Sequence, residues 1–116
     1  MPETFSSSAE VVFLDRDKVI RDLRAAVATT KRTYPEIRKV LLFGSLVDGT
    51  WTADSDADLM VVVDRDFTGF FESCPYQIYC ESIPTDSLVY SATEFEQLLR
   101  EPLSFVSQNM VLALEL

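Results

Sequence analysis

The segment from residue 41 to residue 63 constrains the fold of this chain more than any other part of its sequence. It reads LLFGSLVDGTWTADSDADLMVVV, so one apolar run ends at a Gly-Ser pair and a second apolar run follows two aspartates. Short apolar runs bounded by turn-forming residues are typical of buried strands. We therefore predict one strand over residues 37–43 and another over residues 56–63, the second being covered on both of its faces.

The rest of the chain predicts helices around these strands. Apolar residues recur at helical spacing from Asp15 to about Arg32, and Asp15 is suited to be the N-cap. The sequence TEFE at residues 93–96 has the spacing of a capping box and predicts the start of a second helix. Pro102 is expected to begin a further helical piece that runs to about Met110.

Two more strands complete the predicted fold. Residues 87–90 are expected to form a third strand, and the tail at 111–116 a last edge strand, whereas residues 67–83 fit a short helix and an irregular loop equally well. The elements predict an α/β (α+β) fold in which a small mixed sheet of three to five strands is flanked by helices. With 116 residues, we expect one domain over 1–116, its polar start at residues 1–10 being flexible.

The composition excludes several classes of protein. The net charge of −9 argues against nucleic-acid binding, which needs clustered lysine and arginine. Because the chain has no histidine, a metal site must be built mainly from oxygen ligands, which suit Mg²⁺ or Mn²⁺. No apolar run is long enough to span a membrane, and the start of the sequence lacks the features of a signal peptide. Cys74 and Cys80 make no disulfide framework, so we expect a cytoplasmic protein with free thiols.

Asp56 and Asp58 are the first candidates for chemistry. Side chains alternate along a strand, so both carboxylates are expected on the same face, with Cα atoms about 6.5–7 Å apart. Carboxylates so placed repel each other unless a cation lies between them, and the alternative is a solvated strand end where the acids only cap a turn. The pair Gly44-Ser45 is likewise either a plain turn or, if a short helix begins there, an anion-binding site.

The order and spacing of these motifs resemble a known family. The chain has Gly44-Ser45-x-x-x-Gly49, then SDADL at residues 55–59 with the apolar tail VVV at 61–63, then TDSLVYSATEF at residues 85–95. This arrangement is similar to the minimal nucleotidyltransferase family, a branch of the DNA polymerase β-like superfamily. The resemblance extends over roughly residues 15–116 and adds a nucleotidyltransferase fold to the expectations above.

The resemblance also implies a reaction and a set of site residues. An acceptor hydroxyl would attack the α-phosphorus of a nucleoside triphosphate, most simply ATP, assisted by two Mg²⁺ ions, with Mn²⁺ as a possible substitute. Asp56, Asp58 and Asp86 would hold the metal ions, and Asp86 would also help to deprotonate the acceptor. Gly44 and Ser45 would bind the triphosphate. On local grounds Asp86 is equally well explained as a turn acid, and Glu81 is a nearby substitute for the third carboxylate.

Family members of this kind are commonly paired with a helical HEPN-type protein. The resemblance therefore implies a protein partner or a homo-oligomer, and an antitoxin that adenylylates a toxin within a toxin–antitoxin system. The alternative is an inactive binding module that neutralises its partner by contact. Asp48 departs from the family pattern, in which many members carry a basic residue, and it places negative charge near the expected phosphates. Trp51 is expected either to stack on a base or to cover the edge of the core.

A different enzyme class is suggested by the sequence VFLDRD at residues 12–17. It resembles the nucleophile motif of haloacid-dehalogenase-type phosphatases, in which Asp15 would attack phosphorus and Asp17 would act as the acid. That motif requires a loop glycine after it, whereas Lys18 follows here and a helical pattern begins. We therefore favour the nucleotidyltransferase hypothesis.

Overall fold

A computed structural model describes residues 15–116 of the chain. This part contains four α-helices, a 3₁₀ helix and four strands. In chain order they are α1 (Arg16–Thr33), β1 (Ile37–Phe43), α2 (Ser45–Asp48), β2 (Ala57–Val63), the 3₁₀ helix (Phe70–Tyr76), β3 (Thr85–Ser91), α3 (Ala92–Leu99), α4 (Phe105–Met110) and β4 (Leu114–Glu115). The predicted flexible start at residues 1–10 and the first half of the phosphatase-like motif lie outside the described residues.

The four strands form one mixed sheet in the order β3-β2-β1-β4. Strand β1 is antiparallel to both of its neighbours, β2 and β4, whereas β2 and β3 are parallel. A parallel pair cannot be joined by a tight turn, and here the connection from β2 to β3 contains the 3₁₀ helix. The sheet and its flanking helices confirm the predicted fold class.

Strand β2 is covered on both faces, as its apolar sequence predicts. On one face Leu59, Val61 and Val63 pack in a core that includes three residues of α1: Val19, Leu23 and Val27. On the other face Met60 and Val62 pack in a second, smaller core with residues of α3 and α4. The central strand therefore divides the interior into an α1 side and an α3/α4 side.

Helix α1 begins and ends close to its predicted limits. The carboxylate of Asp15 accepts a hydrogen bond from the backbone N–H of Lys18, which makes Asp15 the N-cap. Asp17 lies in the first turn and is exposed. Both acids of the phosphatase-like motif thus belong to the start of an amphipathic helix, which agrees with our preference against that motif.

Several predicted boundaries differ from those in the structure. Strand β2 begins at Ala57, so Asp56 directly precedes it, and β3 begins at Thr85 rather than after Asp86. The cap of α3 is Ser91, whose side chain accepts from the N–H of Glu94, so the prediction of a cap at residue 93 is wrong. Strand β3 leads directly into the helix, and its last residue also provides the cap.

Helix α4 also begins later than predicted. Its N-cap is Ser104, whose side chain accepts from the N–H of Ser107, and Pro102 lies in the turn before it. The predicted edge strand is present but is only two residues long, at Leu114–Glu115. Cys74 and Cys80 are free thiols, as expected. None of the helices among residues 15–116 has the length and apolar character that crossing a bilayer requires.

Candidate active site

The register of the sheet aligns two of the predicted acids. Asp58 on β2 is paired with Asp86 on the parallel strand β3, and Phe43 at the end of β1 is paired with Asp58 on the other side. Neighbouring strands are about 4.8 Å apart, so Asp58 and Asp86 are direct neighbours across the sheet. Gly44 follows Phe43, so the turn that it begins lies beside the same position.

The two acids lie on the α3/α4 side of the sheet. Asp58 is two residues from Met60, which is buried in the core on that side, and residues two apart share a face of a strand. In a parallel pair, side chains at the same register position point to the same face, so Asp86 shares it with Asp58. The site is thus placed where the α3/α4 core ends and solvent begins.

Gly44 brings the backbone close to Asp58. Its φ of 84° and ψ of −151° are accessible essentially to glycine alone. A Cβ atom at this position would overlap with Oδ2 of Asp58. The backbone conformation therefore requires glycine here, and an added Cβ would also displace the Asp58 carboxylate.

The electrostatics of the site are those of unpaired negative charges. Burial raises the pKa of the half-buried Asp58 above its ordinary value, and the charges of Asp86 and Asp56 raise it further. Asp56 and Asp86 are exposed. Among residues 15–116 the ion pairs join Lys18 to Asp22 and Arg65 to Glu72, so none of the three site acids is neutralised by a cationic side chain there.

The carboxylates of Asp56, Asp58 and Asp86 are suitable ligands for a hard divalent cation, although their oxygen atoms are not grouped around one point. Three carboxylates without nitrogen or sulfur ligands match the preferences of Mg²⁺ and Mn²⁺, and such an ion would relieve the repulsion that raises the pKa of Asp58. Within the described part of the chain, however, no three acidic or cysteine side chains are grouped closely enough to hold a metal ion. The acids are neighbours, and side-chain rotation would be needed to direct them at one point.

The loop between Gly44 and Asp56 is closed by one hydrogen bond between its ends. The hydroxyl of Ser45 donates to that of Ser55 at 3.3 Å, and Ser55 Oγ also accepts from the N–H of Thr52 at 2.8 Å. The carboxylate of Asp48 accepts from the N–H of Thr50 at 2.9 Å and from its hydroxyl at 2.6 Å, which lowers the pKa of Asp48. The negative charge of Asp48 is thus engaged within the loop itself.

One residue that contacts the loop between Gly44 and Asp56 was not indicated by the sequence. Arg16, at the start of α1, donates from Nε to the carbonyl of Leu46 at 2.6 Å, and its guanidinium lies over the ring of Trp51. Nothing in the local sequence around Arg16 indicates a contact with a residue 30 positions away. Glu81, the predicted substitute for the third acid, is exposed in a turn and borders another cleft together with Lys18 and Asp22.

A cleft of 340 Å³ adjoins the Gly44 turn. It lies between α2 and the end of α4, and its lining residues are Gly44, Val47, Asp48, Gln108, Asn109, Val111 and Leu112. The side chains of Val111 and Leu112 are largely exposed, at 80% and 59%. A larger cleft of 790 Å³ lies between α1 and residues 79–82, and Glu81 borders it, whereas none of the residues Gly44, Ser45, Asp56, Asp58 and Asp86 does.

Comparisons with known proteins identify the family and the fold. A family model described as polymerase beta, nucleotidyltransferase matches residues 26–111, a range that includes all five predicted site residues. A candidate protein adenylyltransferase of Methanocaldococcus jannaschii is 27% identical over 84 residues, which cover 72% of this chain and 82% of that protein. The 1.40 Å crystal structure of a candidate nucleotidyltransferase from Sulfolobus solfataricus matches with a TM-score of 0.57 and 17% identity, over 71% of this chain and 75% of its own. At 17% identity, the similarity to the Sulfolobus solfataricus structure concerns the fold alone.

Proposed function

The chain belongs to the polymerase beta nucleotidyltransferase family, and from this premise we propose that it transfers AMP from ATP to a hydroxyl group of another protein in the presence of Mg²⁺. Nucleotidyl transfer is the general reaction of the family. The nucleotide, the metal and the acceptor are our proposal. The choice of a protein acceptor is supported by the similarity to the candidate protein adenylyltransferase described above.

One observation carries the proposal most directly. Asp58 and Asp86 are aligned on adjacent parallel strands, and the Gly44 turn packs against Asp58. Neighbouring carboxylates beside an open backbone turn are what a reaction between a metal-bound triphosphate and an acceptor requires. A half-buried acid that has acidic neighbours and no cationic partner among residues 15–116 is costly for a fold, which favours a functional reason for it.

The residues would divide the reaction as follows. Asp56, Asp58 and Asp86 would hold Mg²⁺, which when bound would neutralise charge on the phosphates and on the attacking oxygen. Gly44 and Ser45 would contact the triphosphate through backbone N–H groups and the Ser45 hydroxyl. The acceptor oxygen forms a bond to the α-phosphorus, and its proton passes to the Asp86 carboxylate. The bond between the α-phosphorus and the oxygen that bridges to the β-phosphorus breaks, which releases pyrophosphate.

The proposed acceptor is a hydroxyl side chain of a helical HEPN-type partner, for which this chain would act as the antitoxin. This proposal follows the family resemblance. A tyrosine would suit the cleft beside Gly44, because Val111 and Leu112 offer an apolar wall next to the Gly44 turn. Gln108 and Asn109 on the same cleft could hydrogen bond to the partner's backbone.

Incubation with α-labelled ATP and MgCl₂ tests the proposal. The purified chain is incubated alone and with a HEPN-type partner, and intact-mass analysis then measures addition of AMP to each protein. We expect addition to the partner that EDTA prevents and that is lost in the double variant Asp56→Asn/Asp58→Asn. The double variant Asp64→Asn/Asp66→Asn is a matched control, because it removes two exposed acids of the same spacing at the other end of β2. Transfer that survives the first double variant would refute the assigned site.

A second candidate is a module that neutralises its partner by contact alone. It is favoured by the lack of a converged three-ligand group among residues 15–116 and by the acidic Asp48. Calorimetric titration with Mg²⁺ and ATP distinguishes the two candidates. A transferase must bind Mg²⁺-ATP and lose that binding in Asp58→Asn, whereas a contact-only module would bind the partner equally well with and without nucleotide.

A further inference from the structure

Arg16 links two parts of the chain that are distant in sequence. It is the first residue of α1 and is half-buried. Its Nε donates a hydrogen bond of 2.6 Å to the carbonyl oxygen of Leu46, which belongs to α2. A hydrogen bond from a charged donor is stronger than one between neutral groups, so this contact fixes the position of α2 relative to α1.

The same guanidinium contacts the loop that follows α2. Its central carbon lies 5.5 Å from the centre of the Trp51 ring, within the range of a cation–π interaction. Trp51 is 38% exposed, so its ring is not held by burial in the core. Arg16 is therefore the residue that restrains Trp51 from the side of α1.

Both contacts fall inside the loop that the Ser45–Ser55 hydrogen bond closes. Leu46 is next to Ser45 and follows the Gly44 turn that packs on Asp58. A movement of Leu46 would therefore displace the backbone that is proposed to contact the triphosphate. The Arg16 guanidinium has no ion-pair partner within residues 15–116, so its contacts are directed at the loop and not at a carboxylate.

We propose that Arg16 is a positioning residue for nucleotide binding, which it supports by holding residues 45–55 through Leu46 and Trp51. The inference rests on the proposed binding of Mg²⁺-ATP at the Gly44 turn. Arginine suits this role because its planar fork donates to a carbonyl while its face stacks on an aromatic ring. Lysine offers a single charged group and cannot make both contacts in the same geometry.

Fluorescence and calorimetry test the inference separately from the proposed function. Trp51 is the single tryptophan of the chain, so acrylamide quenching of tryptophan emission reports on this loop alone. The variants are Arg16→Met, Arg16→Lys and the control Arg24→Met, which removes an exposed arginine from the same helix. Thermal unfolding identifies any variant that fails to fold, in which case Arg16→Lys decides the outcome.

We expect Arg16→Met to increase the quenching constant of Trp51 and to weaken Mg²⁺-ATP binding about tenfold, the effect of losing one charge-assisted hydrogen bond. Arg16→Lys should fall between Arg16→Met and the wild type, and Arg24→Met should match the wild type. Quenching or affinity in folded Arg16→Met equal to that of Arg24→Met would overturn the inference while leaving the proposed function intact. If the wild type itself bound no Mg²⁺-ATP, the proposed function would fail, and with it the role of Arg16 in nucleotide binding.

Discussion

The backbone of Gly44 and the carboxylate of Asp58 are in direct contact, so that a Cβ atom added at Gly44 would displace the carboxylate. Gly44 begins the turn after β1, and Asp58 lies near the start of β2. Their contact couples the conformation of the turn to the position of the acid. A change at either residue is therefore expected to alter the other.

The substitution Gly44→Ala should destabilise the fold and impair nucleotide binding. A residue with a Cβ pays about 1–3 kcal/mol for the backbone conformation at this position, and the methyl group would also displace the Asp58 carboxylate. Urea unfolding measures the stability loss, and calorimetry measures Mg²⁺-ATP affinity. Gly49→Ala is the control, because Gly49 also has positive φ, at 91°, but no atom of the described part of the chain lies within 4 Å of an added Cβ. It should cost only about 1 kcal/mol and retain nucleotide affinity, and equal losses of affinity in both variants would contradict the role of the contact.

The substitution Asp58→Asn should stabilise the metal-free protein and abolish its response to Mg²⁺. It removes a charge from a half-buried position where Asp86 and Asp56 repel it. Melting temperatures measured with EDTA should be higher in Asp58→Asn than in the wild type. Added Mg²⁺ should raise the melting temperature of the wild type, because it binds the folded state, and should leave that of Asp58→Asn unchanged. Asp64→Asn, at an exposed position, changes the net charge by the same amount, and its melting temperature should respond to Mg²⁺ as that of the wild type does. A response to Mg²⁺ in Asp58→Asn equal to that of the wild type would exclude Asp58 as a ligand.

The substitution Tyr76→Phe should weaken the fold more at neutral pH than in acid. The Tyr76 hydroxyl donates to Glu36 at 2.6 Å, and this hydrogen bond is the largest cause that lowers the pKa of Glu36 below its ordinary 4.5. A carboxyl whose pKa is lowered by folding stabilises the protein above its unfolded pKa, and this stabilisation is lost as the pH falls through the folded pKa.

Urea unfolding from neutral to acid pH checks this dependence. The difference in unfolding free energy between the wild type and Tyr76→Phe should shrink as the pH falls below 4.5. Glu36→Gln added to Tyr76→Phe should remove little further pH dependence, because the coupled pair is already broken. A constant difference at all pH values would contradict the coupling to the Glu36 carboxylate and would assign the effect to packing and to the hydrogen bond that the hydroxyl accepts from Arg65.

The substitution Ser91→Ala should cost about 1 kcal/mol of stability, because Ser91 caps α3. Thr93→Ala, at the cap position that the sequence suggested, should change stability by no more than about 0.5 kcal/mol, since Thr93 is exposed within the helix. Denaturant unfolding of the two variants provides the comparison. A larger loss in Thr93→Ala would place the start of α3 two residues later.

Local sequence patterns were sufficient where neighbouring residues determine the structure. Strand β1 has its predicted bounds, because Pro35 precedes its apolar run and Gly44 ends it. The helix capped by Asp15 was found from spacing and cap chemistry alone. The start of β3 lies two residues before its predicted position. The cap of α3 also lies two residues before its predicted position, because Ser91 is at once the last residue of a strand and the cap of a helix.

The arrangement of the site depends on contacts that no local pattern shows. The alignment of Asp58 with Asp86 is set by the register of two parallel strands, and the Arg16–Leu46 hydrogen bond joins residues 30 apart. Spacing suggested that Asp56 and Asp58 share a face, but it could not indicate that Asp58 packs on Gly44. The metal-binding and catalytic roles of these acids stay predictions until the experiments above are done.

The parallel pairing of β2 with β3 has a consequence for the order of folding. Strands β1 and β2 are sequential and antiparallel, whereas β3 reaches β2 only after the long connection through the 3₁₀ helix has closed. Non-local pairing of this kind is slow, because the entropy of closing the connection is lost before any contact is gained. A nascent or partly unfolded chain that has formed only its first two strands therefore lacks Asp86 at its proper place. The proposed site is therefore complete only when β3 has docked on β2, and fraying of β3 would separate Asp86 from Asp58.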